Sequence, residues 1–298
     1  MLSTRHLAFM EVARQKSFSK ASQALFISQP AVSAHVKALE EQYKTKLFER
    51  KAMQIELTEA GQLLYKRLLI VKQIQEDTEF DISAIHDKAE ATGKLNLGAS
   101  TTVALYILPK VMSAFHQEYP QVEIALLNRN SEIVLEALLN QDINLGITEE
   151  KGKLTNVTYL PFLKDQIVAV CSKSNPLAKR KSYPLKEILN MPVAIRERGS
   201  GTLEAVRMAL SKHKIKLSDM QIKVRLGGTE ALKNFLLESG CVGFLSTRSI
   251  IKELQHGELT VLQFDGLKVE RNFYFIQRKG ETSDLNKRFI KMAKNIYK

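Results

Sequence analysis

Ser28-Gln29-Pro30-Ala31-Val32-Ser33-Ala34-His35-Val36-Lys37-Ala38-Leu39-Glu40 is the stretch around which the N-terminal part of this 298-residue chain is organised. Its first serine suits the N-cap of a helix, and its proline suits the first turn, where a missing N–H costs nothing. Val32, Val36 and Leu39 recur at helical spacing and form one apolar stripe that faces a core. The stretch therefore predicts an amphipathic helix with a polar leading end.

The other face of this helix carries short polar side chains that suit a DNA major groove. Gln29 can pair with adenine through two hydrogen bonds, and Ser33 can meet either type of base. An ordinary amphipathic surface helix would show the same stripe, so the stretch alone leaves both interpretations open. The residues expected at DNA are Ser28, Gln29, Pro30, Ser33, Ala34, His35 and Lys37, together with Arg50 and Lys51 from a later segment.

A second short helix is predicted immediately before this one, and it favours the DNA-binding interpretation. Residues 17–25 begin with a serine cap at Ser17 or Ser19. Two short helices joined by roughly three to four residues, the second with a polar leading end, form a helix-turn-helix. Residues 4–15 predict a further helix, and residues 50–57 alternate as a two-stranded wing would. The expected core positions are Leu7, Phe9, Met10, Val12 or Ala13, Phe18, Ala21, Ala24, Leu25 and Leu47.

These motifs resemble the N-terminal domain of LysR-type transcriptional regulators. In that family the wing usually carries a glycine or a basic residue where this chain has Ala52-Met53, so Arg50 and Lys51 are the remaining wing candidates for phosphate contacts. The resemblance implies double-stranded promoter DNA as a partner, with RNA polymerase as a further one. It rests on Phe18, Ala21, Ala24, Ser28 to Ser33, Leu39-Glu40, Leu47 to Arg50 and Leu57 to Gly61.

Residues 58–88 predict one long helix, because no proline occurs in them and no glycine follows Gly61. Pairing with the same helix of a second subunit would bury its apolar seam and place two recognition helices over two DNA half-sites. Packing against the chain's own C-terminal domain is the alternative. The seam consists of Leu57, Leu64, Val71, Thr78 and Ile85, with Leu68, Gln75 and Ile82.

From Lys94 the pattern changes to strands that alternate with helices, which implies parallel sheets covered by helices. Crossover strands near Leu160 and at residues 261–264 would join two lobes with a cleft between them. This arrangement resembles the effector-binding domain of LysR-type regulators, itself similar to periplasmic binding proteins. Strands are predicted at 95–99, 122–127, 143–148, 166–171, 193–195, 222–226, 242–245 and 271–277, and helices at 103–119 (restarting near Pro109), 131–139, 202–212, 230–238 and 284–297.

The predicted fold class is an α+β winged helix-turn-helix domain, a long linker helix and an α/β two-lobed, periplasmic-binding-protein-like effector domain. We expect these at residues 1–58, 59–90 and 91–298. The first lobe would comprise residues 91–160 and 265–298, and the second lobe residues 161–264. The length fits two or three such units.

The composition of the chain and its lack of enzyme motifs reduce the number of function classes that fit. The two cysteines match no metal-ligand spacing and predict buried structural thiols rather than a redox pair, as suits a reducing cytoplasm. No signal peptide or membrane-spanning run is recognisable. The six histidines are scattered, and no nucleophile elbow or phosphate-binding loop occurs. We therefore expect a cytoplasmic regulator with no cofactor and no metal, with an enzyme or a purely architectural DNA-binding protein as the alternatives.

The effector is predicted to be a small anion held between the lobes. Residues 93–298 carry 31 Lys and Arg against 20 Asp and Glu, a net +11, which means either a solvated lysine surface or an anionic partner. Three stretches, 100–102, 199–202 and 227–229, place hydroxyls and free N–H groups at predicted helix starts. Simple capping is the alternative for each. The expected effector residues are Ser100, Thr101, Thr102, Asn130, Thr148, Gly199, Ser200, Gly201, Thr202, Gly228 and Thr229.

Residues 196–202 resemble the branch of the family that senses metabolites of sulfur assimilation or carbon fixation. This implies a sulfur oxyanion or a small phosphorylated or carboxylate metabolite, whereas an aromatic acid suits the polar segments less. Closure of the cleft would change how the subunits of a homodimer or homotetramer pack, and so the spacing of the DNA half-sites.

Overall fold

The structure, a computed structural model, describes residues 2–51, 54–149, 152, 154–280 and 283–298. The chain divides into two units, Met1–Ile82 and Ser83–Lys298, which we describe separately. Ala52-Met53 of the predicted wing lies outside the described residues. Among the described residues, no helix is long and apolar enough to cross a membrane.

The N-terminal unit is a winged helix-turn-helix, as predicted. The Ser17 hydroxyl accepts the Lys20 N–H at the start of the second helix, and the Ser28 hydroxyl accepts the Ala31 N–H at the start of the third. The two strands form an antiparallel hairpin. The elements are α1 (Thr4–Gln15), α2 (Phe18–Leu25), α3 (Gln29–Tyr43), β1 (Phe48–Lys51), β2 (Gln54–Leu57) and α4 (Glu59–His86).

The core of this unit follows the predicted stripe of α3, since Val32, Val36 and Leu39 are buried. Two predicted core positions are wrong. Leu7 is exposed because it lies about 150° of helix rotation away from the buried face of α1, which is centred on Ala8, Phe9 and Val12. Ala24 is exposed and Ser22 is buried instead, which its hydroxyl tolerates because it donates to the Ser19 carbonyl.

The predicted seam of α4 is divided between two environments. Leu57, Leu64 and Leu68 pack into the core of the N-terminal unit, so Leu68 is unavailable for contact with another subunit. Val71 and Ile74 are 40% and 60% exposed. Of the predicted seam, the residues after Leu68 therefore leave apolar surface uncovered, as does Leu63, which is 60% exposed on another side of the helix.

The C-terminal unit alternates strands and helices, as predicted. Short 3₁₀ helices occur at Pro176–Lys179, Leu185–Asn190, Leu217–Asp219 and Thr247–Ser249. The other elements are β3 (Gly93–Ala99), α5 (Thr101–Tyr106), α6 (Leu108–Glu118), β4 (Val122–Asn128), α7 (Ser131–Leu139), β5 (Leu145–Glu149), β6 (Val157–Ser172), β7 (Ser182–Tyr183), β8 (Pro192–Arg196), α8 (Gly201–Ser211), β9 (Gln221–Leu226), α9 (Thr229–Glu238), β10 (Val242–Ser246), α10 (Ile251–Gln255), β11 (Leu259–Phe264), β12 (Val269–Arg278) and α11 (Asp284–Ile296).

Two parallel sheets, one in each lobe, are joined by two long antiparallel strands. β3 pairs in parallel with β4 and β5, and β8 pairs in parallel with β9 and β10. β6 and β12 pair with each other and connect the two sheets, giving the order β4-β3-β5-β12-β6-β10-β8-β9. The predicted return at residues 261–264 is wrong: these belong to β11, which pairs with β6 inside the second lobe, and the chain returns through β12.

Each lobe has its own apolar core. In the first lobe, Phe115 of α6 stacks on Tyr119 at 4.8 Å between ring centroids and meets Phe289 of α11 at 5.3 Å, so the last helix returns to this lobe as expected. Both cysteines are buried and free. Burial raises the pKa of the Cys171 thiol to about 11, which is the behaviour of a structural side chain.

Candidate functional site

The leading end of α3 presents the residues predicted to read DNA. The Gln29 amide Nε2 donates to the Ser33 hydroxyl at 3.0 Å, so the two polar side chains lie on one face, one helical turn apart. Ser28, Pro30, Ala34 and Lys37 are exposed. His35 is half-buried. The helix thus offers short hydrogen-bonding groups to a groove while its apolar stripe stays in the core.

A carboxylate ties this helix to the hairpin. Glu40 Oε1 accepts the Leu47 N–H at 2.9 Å, and its Oε2 accepts from Lys46 Nζ at 2.8 Å. Desolvation acts to raise the pKa of Glu40, but these hydrogen bonds and the Lys46 charge outweigh it, so the pKa is lowered. The Arg50 side chain is exposed on β1. The cationic side chains Lys37, Lys46 and Arg50 therefore border one shallow groove between α3 and the hairpin.

The topology brings the predicted effector segments together between the lobes. In the first lobe, residues 100–102, 130 and 148 lie at or just beyond the carboxyl ends of β3, β4 and β5. In the second lobe, residues 199–202 and 228–229 follow β8 and β9. Parallel sheets bind ligands at this edge. Thr101 Oγ1 lies 2.8 Å from Thr229 Oγ1, a direct contact across the cleft.

Arg271, on β12, occupies the centre of this cleft. Its side chain is 1% exposed. Its Nε donates to Asp165 at 2.8 Å, and its Nη1 donates to Glu149 at 2.8 Å. Two predicted hydroxyls complete the set, since Nη1 also donates to Thr202 at 2.9 Å and Nη2 to Thr102 at 3.1 Å. One guanidinium therefore joins segments of both lobes.

Glu149 lies against the first turn of α8. Besides Arg271, its carboxylate accepts a hydrogen bond from the Ser131 hydroxyl. A Cβ at Gly201 would overlap the same carboxylate, so only glycine lets the helix start approach this closely. The segment predicted to bind an anion thus faces a carboxylate of the protein itself.

A second buried arginine, Arg196, closes the other end of the cleft. Its Nη1 donates to Thr229 at 2.9 Å, and its Nε and Nη2 donate to the two oxygens of Glu197 at 2.7 and 2.9 Å. Desolvation acts to raise the pKa of Glu197, but the Arg196 hydrogen bonds and charge lower it overall. Gly228, with φ +84°, donates its N–H to Glu197 at 3.3 Å.

The remaining predicted effector residues play different roles. Asn130 and Ser200 cap their helices, accepting from Ile133 N–H and Leu203 N–H, so the capping alternative describes these contacts. Thr148 is buried in β5. Ser100 is buried too, and its hydroxyl has no hydrogen-bond partner among the described residues. Gly199 adopts φ +81° and packs against Glu132 of the first lobe.

Sequence reasoning missed the charged residues of the cleft: Glu149, Asp165, Arg196 and Arg271. The sequence did contain a signal for them, because each charged residue lies within or at the end of an apolar strand. A charge buried there needs a side chain of opposite charge beside it. The partners lie 69 to 169 residues away for Arg271, so the pairing itself could not be read from spacing.

A cavity of about 620 Å³ opens beside the crossover strands. Arg271 and Asp165 contribute to its wall, but none of the eleven predicted effector residues does. Its other lining residues are Lys164, Gln166, Thr247, Arg248, Ile251, Glu270 and Asn272. Within the described residues, no group of histidine, cysteine or carboxylate side chains is arranged to hold a metal ion.

Two family models match the chain. The bacterial regulatory helix-turn-helix protein, lysR family, matches residues 5–62, and the LysR substrate binding domain matches residues 88–297. The chain belongs to the LysR family. It is a transcriptional regulator with a DNA-binding and an effector-binding domain, and the predicted fold class is confirmed.

Similar proteins fall in the predicted branch. The chain is 28% identical to the HTH-type transcriptional regulator CysL of Bacillus subtilis, covering 97% of this chain and 95% of that one. It is 30% identical to a probable RuBisCO transcriptional regulator of Trichormus variabilis, covering 89% and 79%. Among solved structures, the regulatory domain of Synechocystis CcmR in complex with 2-PG (2-phosphoglycolate) is 27% identical, with a TM-score of 0.63, covering 70% of this chain and 98% of that one.

Proposed function

We propose that this LysR-family regulator binds a small anionic effector between the two lobes, and that the effector changes its binding to promoter DNA. The observation that carries this is Arg271, a buried guanidinium whose donors reach Glu149, Asp165, Thr102 and Thr202. The planar donor set of an arginine matches carboxylate and phosphate geometry, and here the Thr102 and Thr202 hydroxyls lie against it beside the two carboxylates. The CcmR domain, which binds 2-phosphoglycolate, supports the same class of ligand.

The path from effector to DNA would run through the packing of the subunits. Opening or closing of the cleft moves one lobe against the other about β6 and β12, and a homo-oligomer transmits such a movement to its two recognition helices. We infer that Gln29 and Ser33 read base edges, that Lys37 and Arg50 contact phosphates, and that α4 pairs subunits in a homodimer or homotetramer. RNA polymerase is the further partner at the promoter.

Calorimetric titration of the full-length protein tests the effector site. The probes are sulfite, sulfate, phosphate, 2-phosphoglycolate and small carboxylates, against wild type, Thr102→Ala and Thr202→Ala. We expect at least one anion to bind, and each substitution to weaken it about ten-fold, as loss of one hydrogen bond to a charged group would. Thr158→Ala, at an exposed position of β6, is the matched control and should leave affinity unchanged.

Two results would refute this site. One is binding of uncharged ligands only. The other is an anion whose affinity neither threonine substitution weakens. Gel-shift titration of a promoter fragment with and without the bound anion then shows whether occupancy changes DNA affinity.

A further inference from the structure

The cleft contains a carboxylate that is placed to accept a hydrogen bond from the ligand. Glu149 is 2% exposed at its side chain and touches the same Arg271 Nη1 that donates to Thr202. A ligand oxygen held by that guanidinium and the Thr202 hydroxyl would therefore be a neighbour of a carboxylate oxygen. Ser100, whose buried hydroxyl has no partner among the described residues, adds an unused polar group in the segment that contacts Arg271 through Thr102.

The charges of this cluster oppose a bare dianion. Arg271 carries one positive charge, whereas Glu149 and Asp165 carry two negative ones, both in direct contact with it. A fully deprotonated oxyanion next to Glu149 would place two negative oxygens together in a buried site, which is costly without a proton between them. A ligand that carries a hydroxyl can supply this proton.

Glu149 has lone pairs left with which to accept a hydrogen bond from such a hydroxyl. An ionised carboxylate offers about four lone-pair sites and no donor. In Glu149 the described partners are Arg271 and the Ser131 hydroxyl. Asp165 also accepts two hydrogen bonds, from Ser246 Oγ at 2.7 Å and Arg271 Nε at 2.8 Å, but it has a second cation, Arg248, at 3.7 Å. Glu149, which shares Arg271 Nη1 with Thr202 and lies against the start of α8, is therefore the carboxylate placed next to the proposed ligand position.

We propose that Glu149 selects oxyanions that carry a proton, such as hydrogenphosphate, a singly protonated phosphate monoester or hydrogensulfite, and rejects sulfate. This rests on the proposed anionic effector and specifies its chemical class. Arg271, Thr102 and Thr202 donate to the charged oxygens, and Glu149 accepts the ligand hydroxyl. A site with a buried acceptor discriminates strongly against a ligand that lacks the matching donor, because the acceptor is then left unpaired.

Calorimetry of the full-length protein near neutral pH tests this through two quantities. The first is the affinity for phosphate and sulfite relative to sulfate, which we expect to favour the protonatable ions at least ten-fold, or about 1.4 kcal/mol. The second is proton uptake. The second phosphate pKa of a phosphate monoester is about 6, so the phosphate group of 2-phosphoglycolate is mostly doubly ionised at neutral pH. If the site binds the singly protonated form, binding should take up about one proton from the buffer. Titration in buffers of high and low ionisation enthalpy measures that proton.

Glu149→Gln should change both quantities, since an amide can donate as well as accept. We expect sulfate to approach phosphate in affinity and the proton uptake to disappear. Glu136→Gln is the matched control, because it makes the same change of carboxylate to amide at an exposed position of α7, outside the cleft. It should keep the wild-type preference and proton uptake.

The outcomes separate this inference from the effector proposal. If wild type binds none of these anions, the proposed effector class fails. If wild type binds sulfate as well as phosphate and takes up no proton, or if Glu149→Gln keeps both properties, the effector proposal stands and the role of Glu149 is refuted. Should Glu149→Gln fail to fold, the wild-type affinity ratio and proton uptake decide.

Discussion

Phe26 ends α2 with a left-handed backbone, φ +55°, and its ring is 95% exposed. A non-glycine residue in this conformation costs about 1 to 2 kcal/mol, because Cβ crowds the following carbonyl. Asparagine adopts it more readily. The Phe26 N–H caps the end of α2 by donating to the Gln23 and Ser22 carbonyls. A substitution by asparagine keeps this N–H.

Phe26→Asn should therefore stabilise the N-terminal unit by about 1 kcal/mol. Thermal or urea unfolding of the full chain, followed by circular dichroism, measures the change. Phe26→Ala is the matched control, since it also removes the exposed ring but keeps a Cβ in the left-handed region. Equal gains from both substitutions would mean that the ring, and not the backbone, is responsible.

The buried charges mark the limit of residue-level prediction. Hydroxyl-rich helix starts were recognisable because capping and N–H donors are local properties, and residues 100–102 and 199–202 do meet in the cleft. Arg271 was not recognised, because its role depends on Glu149 and Asp165, which are brought to it by strand pairing. Local sequence patterns identify the hydroxyl and N–H donors at helix starts. Which charged side chain lies between them depends on long-range strand pairing, which these patterns do not show.

At the level of elements, α7 has the predicted bounds, Ser131 to Leu139, because a cap and an apolar period define both ends. β6 does not, since it runs unbroken from Val157 to Ser172. Pro161 interrupts its sequence pattern, as a residue without an N–H should. The structure accommodates Pro161 by a register shift against β12 at Phe273/Tyr274, so the strand continues where the sequence indicates a break.

Glu40 provides a prediction for the junction between α3 and the hairpin. The lowered pKa of Glu40 in the folded state means that its ionised form stabilises the fold. Glu40→Gln should cost about 1 kcal/mol at neutral pH, where the carboxylate is fully charged. This difference should shrink as the pH falls through the folded-state pKa, because wild-type Glu40 then becomes protonated.

Urea unfolding at a series of pH values measures this difference. Glu41→Gln is the control, since Glu41 pairs with Lys37 at 3.8 Å on an exposed surface and should contribute little at any pH. If the loss of unfolding free energy in Glu40→Gln stays constant down to acid pH, it comes from the hydrogen-bond geometry of the amide and not from the lost charge.

For the whole molecule, the exposed part of α4 gives the test of assembly. Val71 and Ile74 lie in the uncovered stretch, and a glutamate in a subunit interface there would bury an unpaired charge. Val71→Glu and Ile74→Glu should therefore lower the mass measured by light scattering. Leu68→Glu, which the sequence pattern also suggests, would instead disrupt the N-terminal core.

Gln62→Glu, which adds the same charge at an exposed position of α4, should leave the mass unchanged. An unchanged mass in Val71→Glu and Ile74→Glu, with folding intact, would mean that this surface does not join subunits. The heptad pattern predicted the helix correctly. It did not distinguish its two environments, because leucine at the same spacing serves a domain core and a coiled coil equally well.

The two buried thiols make the protein suited to spectroscopy. With the pKa of Cys171 at about 11 and both sulfurs shielded, maleimide reagents should label neither of them under native conditions. A single cysteine introduced on the exposed surface of each lobe would then carry a fluorophore or spin label without the need to replace either native cysteine. Distances between such labels would report the angle between the lobes directly, with each candidate anion added in turn.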